Sequence, residues 1–230
     1  MRARSRSRLA PAAILLLVGV ASRAPAQDAP ATDDEKAFYL LGVIQGRQLN
    51  SQFYMTPEEL EMVSRGFEDS ILDRAVEVEE DEYRGRLQEI AAERQAAVAA
   101  DEKVASAVYL KEAAAAEGAV RTESGLVITQ VVEGTGASPG ATDTVRVHYH
   151  GTMRDGKVFD SSVERGKPAE FALNRVIPCW TEALQLMKMG GKSRIVCPSE
   201  IAYRERGAPP SIPGNAALTF EVELLEIVGN

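Results

Sequence analysis

The stretch VHYHGTMRDGKVFDSS, residues 147–162, decides the fold of this chain, because two strand-like segments flank a tight turn. Residues 145–150 alternate between two faces: Val145, Val147 and Tyr149 against Arg146, His148 and His150. This period of two predicts a strand with one buried face. Asp155-Gly156 is a strong hairpin-turn signal. The stretch therefore predicts an antiparallel hairpin, and its histidines, aspartates and serines make it a candidate for chemistry.

The β pattern continues on both sides of the hairpin. Residues 125–136 and 193–197 predict strands, and residues 217–227 predict a strand with every second apolar side chain inward: Leu218, Phe220, Val222 and Leu224. Residues 176–192 predict one short helix that begins near Pro178 and ends at Gly190-Gly191. One helix against an antiparallel sheet is an α+β unit, which we place at residues 119–230.

The first 26 residues predict export. Four arginines precede an apolar run of about a dozen residues, and a small-residue cleavage pattern ends at Ala26. This order is typical of a signal peptide, and the run is too short to span a membrane. No later stretch is apolar over 18 residues, which predicts a soluble protein in the periplasm, or secreted or at the outer cell surface, after cleavage near Ala26.

Residues 27–78 predict two short helices. The first has an apolar stripe that includes Phe38 and Ile44, and the second begins with Thr56 as N-cap, Pro57 in the first turn and Glu59 as capping-box partner. These helices carry few large apolar residues and could hardly bury a core alone. We therefore predict a dimerisation domain that pairs with a second copy; the alternative is that the helices dock on the C-terminal domain.

Residues 79–118 predict a long connecting helix. The segment is rich in Ala, Glu, Arg and Gln, which are good helix formers, and it contains no proline. Its thin, mostly alanine apolar stripe predicts that much of the helix is solvated. We interpret it as a spacer arm that ends near Gly118.

Charge argues against nucleic acid as a partner. Five of the 26 basic residues lie in the first 26 positions, which contain no acidic residue, so 21 basic and 34 acidic residues remain, a net charge of −13. Such a surface repels polyanions. The two cysteines, Cys179 and Cys197, could form one disulfide after export or remain buried thiols, and both alternatives stay open. They are too few for a structural zinc site, and we expect no metal and no cofactor.

The hairpin makes a poor catalytic centre of the hydrolytic kind. His148 and His150 alternate away from the face of Tyr149, and Ser161 and Ser162 have no evident activating base. Aromatic and apolar residues scattered through the β unit could instead line a pocket, or they could simply form its core.

Several motifs together resemble the FKBP-type peptidyl-prolyl cis-trans isomerases. VHYHGTMRDGKVFDSS, FALNRVIPCW, IAYRERG and ALTFEVELLEI match that family in order and spacing over residues 119–228. The N-terminal AFYLLGVIQGRQL, the capped helix and the long arm resemble the macrophage infectivity potentiator subgroup, which consists of exported bacterial dimers. The resemblance implies a half-open antiparallel sheet of about five strands wrapped on one short helix, with the pocket between them.

The resemblance also implies roles for ten residues. Trp180 resembles the pocket floor and Asp160 its polar edge. Tyr203 resembles a hydroxyl donor at the rim, beside Ile212 on a proline-rich flap, residues 206–215. The backbone N–H of Ile177 resembles the donor to a bound carbonyl. The remaining positions resemble the walls: Tyr149, Phe159, Phe171, Val176, Ile177 and Phe220.

Three positions depart from the family pattern. Ala169 stands where an aromatic residue is usual, Arg204 replaces a glycine beside the rim tyrosine, and Cys179 replaces the glycine before Trp180. These changes put the rate in doubt more than the fold.

The resemblance implies an enzyme that accelerates X–Pro isomerisation in unfolded or partly folded proteins, with macrolides such as tacrolimus and rapamycin binding in the same pocket. The alternative is a holdase chaperone that binds chains without catalysis. A surface virulence factor is a third hypothesis, suggested by the subgroup's name alone.

Overall fold

The computed structural model describes residues 29–228, so the signal-peptide prediction for residues 1–26 lies outside it. The helices of this range are α1 (Asp33–Phe53), α2 (Pro57–Ile71), α3 (Glu80–Ala114) and α4 (Pro178–Gln185). The strands are β1 (Ala119–Arg121), β2 (Val127–Val132), β3 (Thr144–Met153), β4 (Val158–Ser161), β5 (Ala169–Ala172), β6 (Lys192–Cys197) and β7 (Leu218–Val228). Within residues 29–228 no helix is both long and apolar enough to cross a membrane.

All seven strands belong to one antiparallel sheet with the order β1-β2-β6-β7-β3-β4. β4 pairs with residues 150–152 of β3 and β5 with residues 144–147, on the edge of β3 away from β7. The outer strand position is therefore shared by two short segments. This split, together with the three-residue β1, explains why seven strands are found where the family resemblance implied about five.

The inward faces are those that the alternation predicts. Val145, Val147 and Tyr149 of β3 are buried, whereas His148 and His150 are only partly covered. The four inward positions of β7 are also buried: Leu218, Phe220, Val222 and Leu224. These side chains pack around α4, so the core lies between the sheet and its one helix.

The predicted start of α4 is confirmed and its predicted end is wrong. Pro178 occupies the first turn, where a missing N–H costs no helical hydrogen bond. The helix ends at Gln185, not at Gly190-Gly191. Gly190 has φ +83° and donates its N–H to the Leu224 carbonyl at 2.8 Å, so the glycine pair forms the turn that leads into β6.

The capping box of α2 is confirmed and is extended by a third helix. Thr56 and Glu59 exchange the two side chain–backbone hydrogen bonds that the pattern predicts. Both oxygens of Glu59 also accept from the Arg94 guanidinium of α3, which lowers the pKa of Glu59 to about 2, with the Thr56 N–H contributing. Arg94 Nη1 donates to the Phe53 carbonyl at 2.7 Å as well. One arginine thus joins the end of α1, the start of α2 and the middle of α3.

α3 is mostly exposed, as the sequence predicts. Its second half, however, is hydrogen-bonded to the sheet domain, residues 119–228. Four contacts do this: Asn215 Nδ2 donates to Ala99 O at 2.9 Å, Arg154 Nε to Glu102 Oε1 at 3.0 Å and Ala217 N to Ser106 Oγ at 2.8 Å, and the hydroxyls of Tyr109 and Thr219 are 2.8 Å apart. Glu102 and Ser106 are buried as a result. The helix ends at Ala114, four residues before the predicted limit, and a turn with Gly118 at φ +71° follows.

Candidate active site

Trp180 lies at the centre of a cluster of aromatic rings. Its indole centroid is 5.3 Å from each of three rings, those of Tyr149, Phe171 and Phe220, at interplanar angles of 79–85°. Such edge-to-face packing is favourable for aromatic pairs. Trp180 is held there because it lies in the first turn of α4, and that turn begins directly after the extended residue Ile177. The predicted floor and three of the predicted walls are therefore in contact.

Phe159 extends the cluster to one side. Its ring centroid is 5.4 Å from that of Phe220, in a perpendicular arrangement. A Cβ at Gly151 would lie 2.8 Å from the Phe159 ring, so a larger residue there would push the ring away. Sequence reasoning missed Gly151 as a residue that shapes the site; the only signal was a glycine in the middle of a predicted strand.

The cluster, which we call the dish, has a covered floor and partly exposed walls. Tyr149, Trp180 and Phe220 each retain 4% of their exposure, whereas the remaining walls are only partly buried: Phe159, Phe171, Val176 and Ile177. Within residues 29–228 the N–H of Ile177 donates no hydrogen bond, and the buried indole N–H of Trp180 has no acceptor. An unpaired amide at the edge of an apolar surface is suited to hold a carbonyl oxygen.

A polar network closes one side of the dish. The Tyr149 hydroxyl donates to Asp160 Oδ2, and Arg165 donates from Nη1 to Asp160 Oδ1 and from Nη2 to the Tyr149 hydroxyl at 2.8 Å. Arg165 also lies over the Tyr149 ring, 5.6 Å from its centroid. Sequence reasoning found Tyr149 and Asp160 but missed Arg165, whose only signal was a basic residue shortly after the hairpin.

The network fixes the charge of its members. Burial raises the pKa of Asp160, but the hydrogen bonds from Tyr149 and Arg165 outweigh burial, so the pKa lies below its usual value. Burial, followed by the hydrogen bond to Asp160, raises the pKa of Tyr149. The hydrogen bond to Asp160 raises the pKa of Arg165. The carboxylate is therefore ionised and the phenol neutral at ordinary pH.

The two residues predicted at the rim, Ile212 of the flap and Tyr203 beside it, differ in burial. Ile212 is 5% exposed and packs in the core cluster, and its backbone exchanges two hydrogen bonds with Ala208, at 2.8 and 3.0 Å. Tyr203 is 38% exposed and is not among the residues packed against the cluster. The structure therefore brings nine of the ten predicted residues together and leaves Tyr203 at the margin.

Comparison with known proteins identifies the family. Residues 136–225 match the family described as FKBP-type peptidyl-prolyl cis-trans isomerase, and residues 34–128 match the domain amino terminal to it. The FKBP-type 22 kDa peptidyl-prolyl cis-trans isomerase of Escherichia coli K12 is 45% identical over 203 residues, which cover 86% of this chain and 97% of that protein. This chain belongs to the FKBP-type peptidyl-prolyl cis-trans isomerases.

Two further relatives agree with the resemblance found in the sequence. The macrophage infectivity potentiator of Trypanosoma cruzi is 46% identical over 121 residues, 52% of this chain and 62% of that protein. The crystal structure of FkpA from Escherichia coli matches with a TM-score of 0.63 and 34% identity, over 86% of this chain and 98% of that one. The α+β fold class with preceding helices and the enzyme class inferred from the sequence motifs are both confirmed.

Of the three departures from the family pattern, Ala169 lies at the edge of the dish of this isomerase. Ala169 packs against the cluster with only a methyl group, which leaves that wall low. Arg204 has φ +53°, a left-handed conformation that costs a non-glycine residue about 1 kcal/mol. Its Nε donates to the Glu200 carbonyl at 3.3 Å, which fixes the guanidinium against the preceding turn.

The serines of the isomerase hairpin have partners that the sequence did not reveal. His148 Nδ1 is 3.2 Å from Ser162 Oγ, and His150 Nδ1 is 3.0 Å from Ser161 Oγ. The expectation that neither serine has a base within reach is therefore wrong. Both hydroxyls are buried, and they accept backbone N–H groups from Tyr149 and Glu164. These pairs tie β3 to the last residue of β4 and to the residue after it, and their buried hydroxyls are not accessible to a substrate.

The two cysteines form a disulfide, which resolves the alternative left open by the sequence. Cys179 and Cys197 are both fully buried, and their Cα atoms are 5.8 Å apart. The bond joins the first turn of α4 to the end of β6, next to the floor residue Trp180. Within residues 29–228 no cluster of three or more His, Cys, Asp or Glu residues is arranged to hold a metal ion.

Proposed function

We propose that the dish around Trp180 is the place where this isomerase rotates X–Pro bonds of unfolded or partly folded proteins. The observation that carries the proposal is the set of rings packed edge-on around Trp180, with partly exposed walls and an unpaired Ile177 N–H beside them. The prolyl ring lies on the indole, and the preceding carbonyl accepts from Ile177. Phe159 and Phe171 flank the ring.

The chemistry requires no bond to be broken. Amide resonance gives the X–Pro bond a rotation barrier of ~18–20 kcal/mol, so the uncatalysed reaction takes tens to hundreds of seconds. The twisted amide has less charge separation than the planar amide, and a dry aromatic surface therefore favours it. Selective stabilisation by roughly 5–8 kcal/mol would give a rate gain of about 10⁴–10⁶. No group of the dish has to titrate.

A proline-containing tetrapeptide assay tests the site. Trp180→Ala should lower kcat/KM by about 10-fold to 100-fold, because the floor that displaces water is lost. Trp180→Phe keeps an aromatic floor and should retain most of the activity. Should Trp180→Ala fail to fold by circular dichroism, Phe159→Ala, at the partly exposed edge, takes its place. Equal kcat/KM for the parent and both alanine variants would show that the reaction happens elsewhere.

Export and dimerisation belong to the same proposal. The arginine-rich start, apolar run and small-residue pattern of residues 1–26 support delivery to the periplasm. A second copy would cover the apolar side chains that α1 and α2 leave exposed, which include Phe38, Leu41, Leu60, Phe67 and Ile71. The boundaries that we propose are residues 27–78 for the dimerisation domain, 79–118 for the connecting helix and 119–230 for the isomerase domain.

Macrolides such as tacrolimus and rapamycin are proposed to compete with substrate in the dish, with weaker binding where Ala169 lowers one wall.

The second candidate function is a holdase, which the low wall at Ala169 and the strained Arg204 next to Tyr203 favour. A holdase would suppress aggregation of a substrate that has no slow prolines, and Trp180→Ala, which alters the binding surface, would weaken that suppression. No suppression of that aggregation by the parent protein would leave isomerisation as the function.

A further inference from the structure

A groove of about 610 Å³ lies beside the dish and is not used by the mechanism above. Four parts of the chain line it: the end of α1, the middle of α3, the β3–β4 hairpin and the flap. Its walls are fixed relative to one another, because Arg154 is bonded to Glu102, Asn215 to Ala99, and Arg94 to Phe53. The groove is therefore a built feature of the surface.

The groove is continuous with the dish. Phe159 and Ile212 line the groove, and both also pack in the aromatic cluster. A polypeptide whose proline lies on Trp180 must leave the dish past one of its edges. The edge formed by Phe159 and Ile212 opens into the groove. A tetrapeptide extends at most roughly 14 Å and hardly passes the dish, whereas a longer chain can follow the groove.

The lining suits an extended polypeptide. Asn50, Ser51 and Gln95 each make one side-chain hydrogen bond within the chain and keep further donors or acceptors for a substrate backbone. Within residues 29–228, Arg47, Lys157 and Arg206 also line the groove and form no ion pair.

The charge of the groove differs from that of the whole chain. Only Asp155 and Glu205 oppose the three unpaired basic residues, because Glu102 is paired with Arg154. In a chain of net charge −8, this is a local basic excess that favours acidic flanking residues.

We propose that the groove is an extended subsite that binds the polypeptide flanking the isomerised proline, with a preference for acidic residues. The inference rests on the proposed function and adds a length and charge requirement to it. Long, unfolded chains are then better substrates than short peptides because they gain contacts outside the dish.

The test compares two lengths of substrate on the full chain. One is a proline tetrapeptide, and the other is a peptide of about fifteen residues, extending to roughly 50 Å, with one central proline and glutamates in its flanks. For the parent, kcat/KM should be at least about fivefold higher for the long peptide, mainly through KM. Gln95→Trp should bring the ratio of long to short substrate close to one, because the indole fills the groove.

The matched control is Gln88→Trp, an exposed position on the same helix, two turns away and outside the groove. It should keep the parent ratio. A long peptide with lysines in place of the glutamates should have a KM about threefold higher than the glutamate peptide at low salt.

Equal kcat/KM for the two lengths in the parent, or the same ratio in Gln95→Trp and Gln88→Trp, would overturn the subsite. Equal KM for the two flank charges would overturn the role of the basic residues. No acceleration of either substrate would instead mean that the proposed isomerase site has failed.

Discussion

Arg165 shows how much of the dish depends on residues that never face the prolyl ring. Its guanidinium donates to both Asp160 and the Tyr149 hydroxyl and lies over the tyrosine ring. It therefore fixes the orientation of a wall residue whose other side touches Trp180. We regard Arg165 as a positioning residue for the dish.

Arg165→Ala should lower kcat/KM about fivefold, because Tyr149 loses the charge-assisted hydrogen bond that orients its hydroxyl. The loss should appear in kcat more than in KM. Arg86→Ala, an exposed ion-paired arginine on α3, is the matched control and should leave both constants unchanged. Equal kinetics for the two variants would mean that Tyr149 needs no such support.

The pH profile should be flat from about pH 5 to 9. The pKa of Asp160 is depressed below its reference of ~3.9, so its contribution is complete above about pH 4 and is lost as the pH falls through the folded-state value. The pKa of Tyr149 is raised above its usual value, so the phenol stays neutral throughout. NMR exchange spectroscopy on a proline peptide measures the isomerisation rate directly at each pH, so no protease is needed to detect the isomer formed. A midpoint between pH 6 and 7 would implicate a histidine instead.

At the scale of elements, the disulfide joins α4 to β6 and closes a loop with a sequence separation of 18. Cys179→Ser with Cys197→Ser should lower the free energy of unfolding of the sheet domain by about 3 kcal/mol, since the denatured chain regains that loop entropy. Trp180 is the chain's single tryptophan and is the neighbour of Cys179, so its fluorescence reports urea unfolding of this domain. The urea midpoint of this double variant is compared with those of the oxidised parent and of the parent in reductant. Coincident urea midpoints for all three samples would contradict this role.

The sequence predicted the elements whose signals are local. The alternation in β3 and β7, the capping box at Thr56 and the start of α4 at Pro178 are all set by neighbouring residues. The errors lie where partners distant in sequence decide. The end of α4 depends on the bond from Gly190 to Leu224, and the docking of α3 depends on residues more than 100 positions away, such as Thr219.

The residues of the site divide in the same way between those with a local sequence signal and those that depend on more distant contacts. The aromatic residues could be found because the family motifs mark them, and the structure packs them together. Arg165 and Gly151 were missed because their roles arise from contacts across the hairpin. The two serine–histidine pairs were missed for the same reason, since their residues are 11 and 14 positions apart.

At the scale of the whole molecule, the unpaired helices predict a homodimer. Phe67 and Ile71 of α2 are 51% and 79% exposed, which is unfavourable for large apolar side chains unless a second copy covers them. Light scattering of residues 27–230 should give twice the chain mass at micromolar concentration. Phe67→Glu with Ile71→Glu should give a monomer, while Arg86→Glu on α3 should not. A monomeric parent would remove the role proposed for residues 27–78.

The tie that Arg94 makes to α1 and α2 also decides where this molecule can bend. Arg94 and Ala99, the first anchor of α3 on the sheet domain, are five residues apart, about 7.5 Å of helix. While both contacts hold, the short segment of α3 between them leaves no free stretch of helix about which the helical end could rotate. Swinging the helical end away would first have to detach Arg94 from Glu59, whose pKa of about 2 keeps it charged in all but strong acid. Under ordinary conditions the end of α1, α2 and the sheet domain, all within residues 41–230, should tumble together, which nuclear spin relaxation can measure.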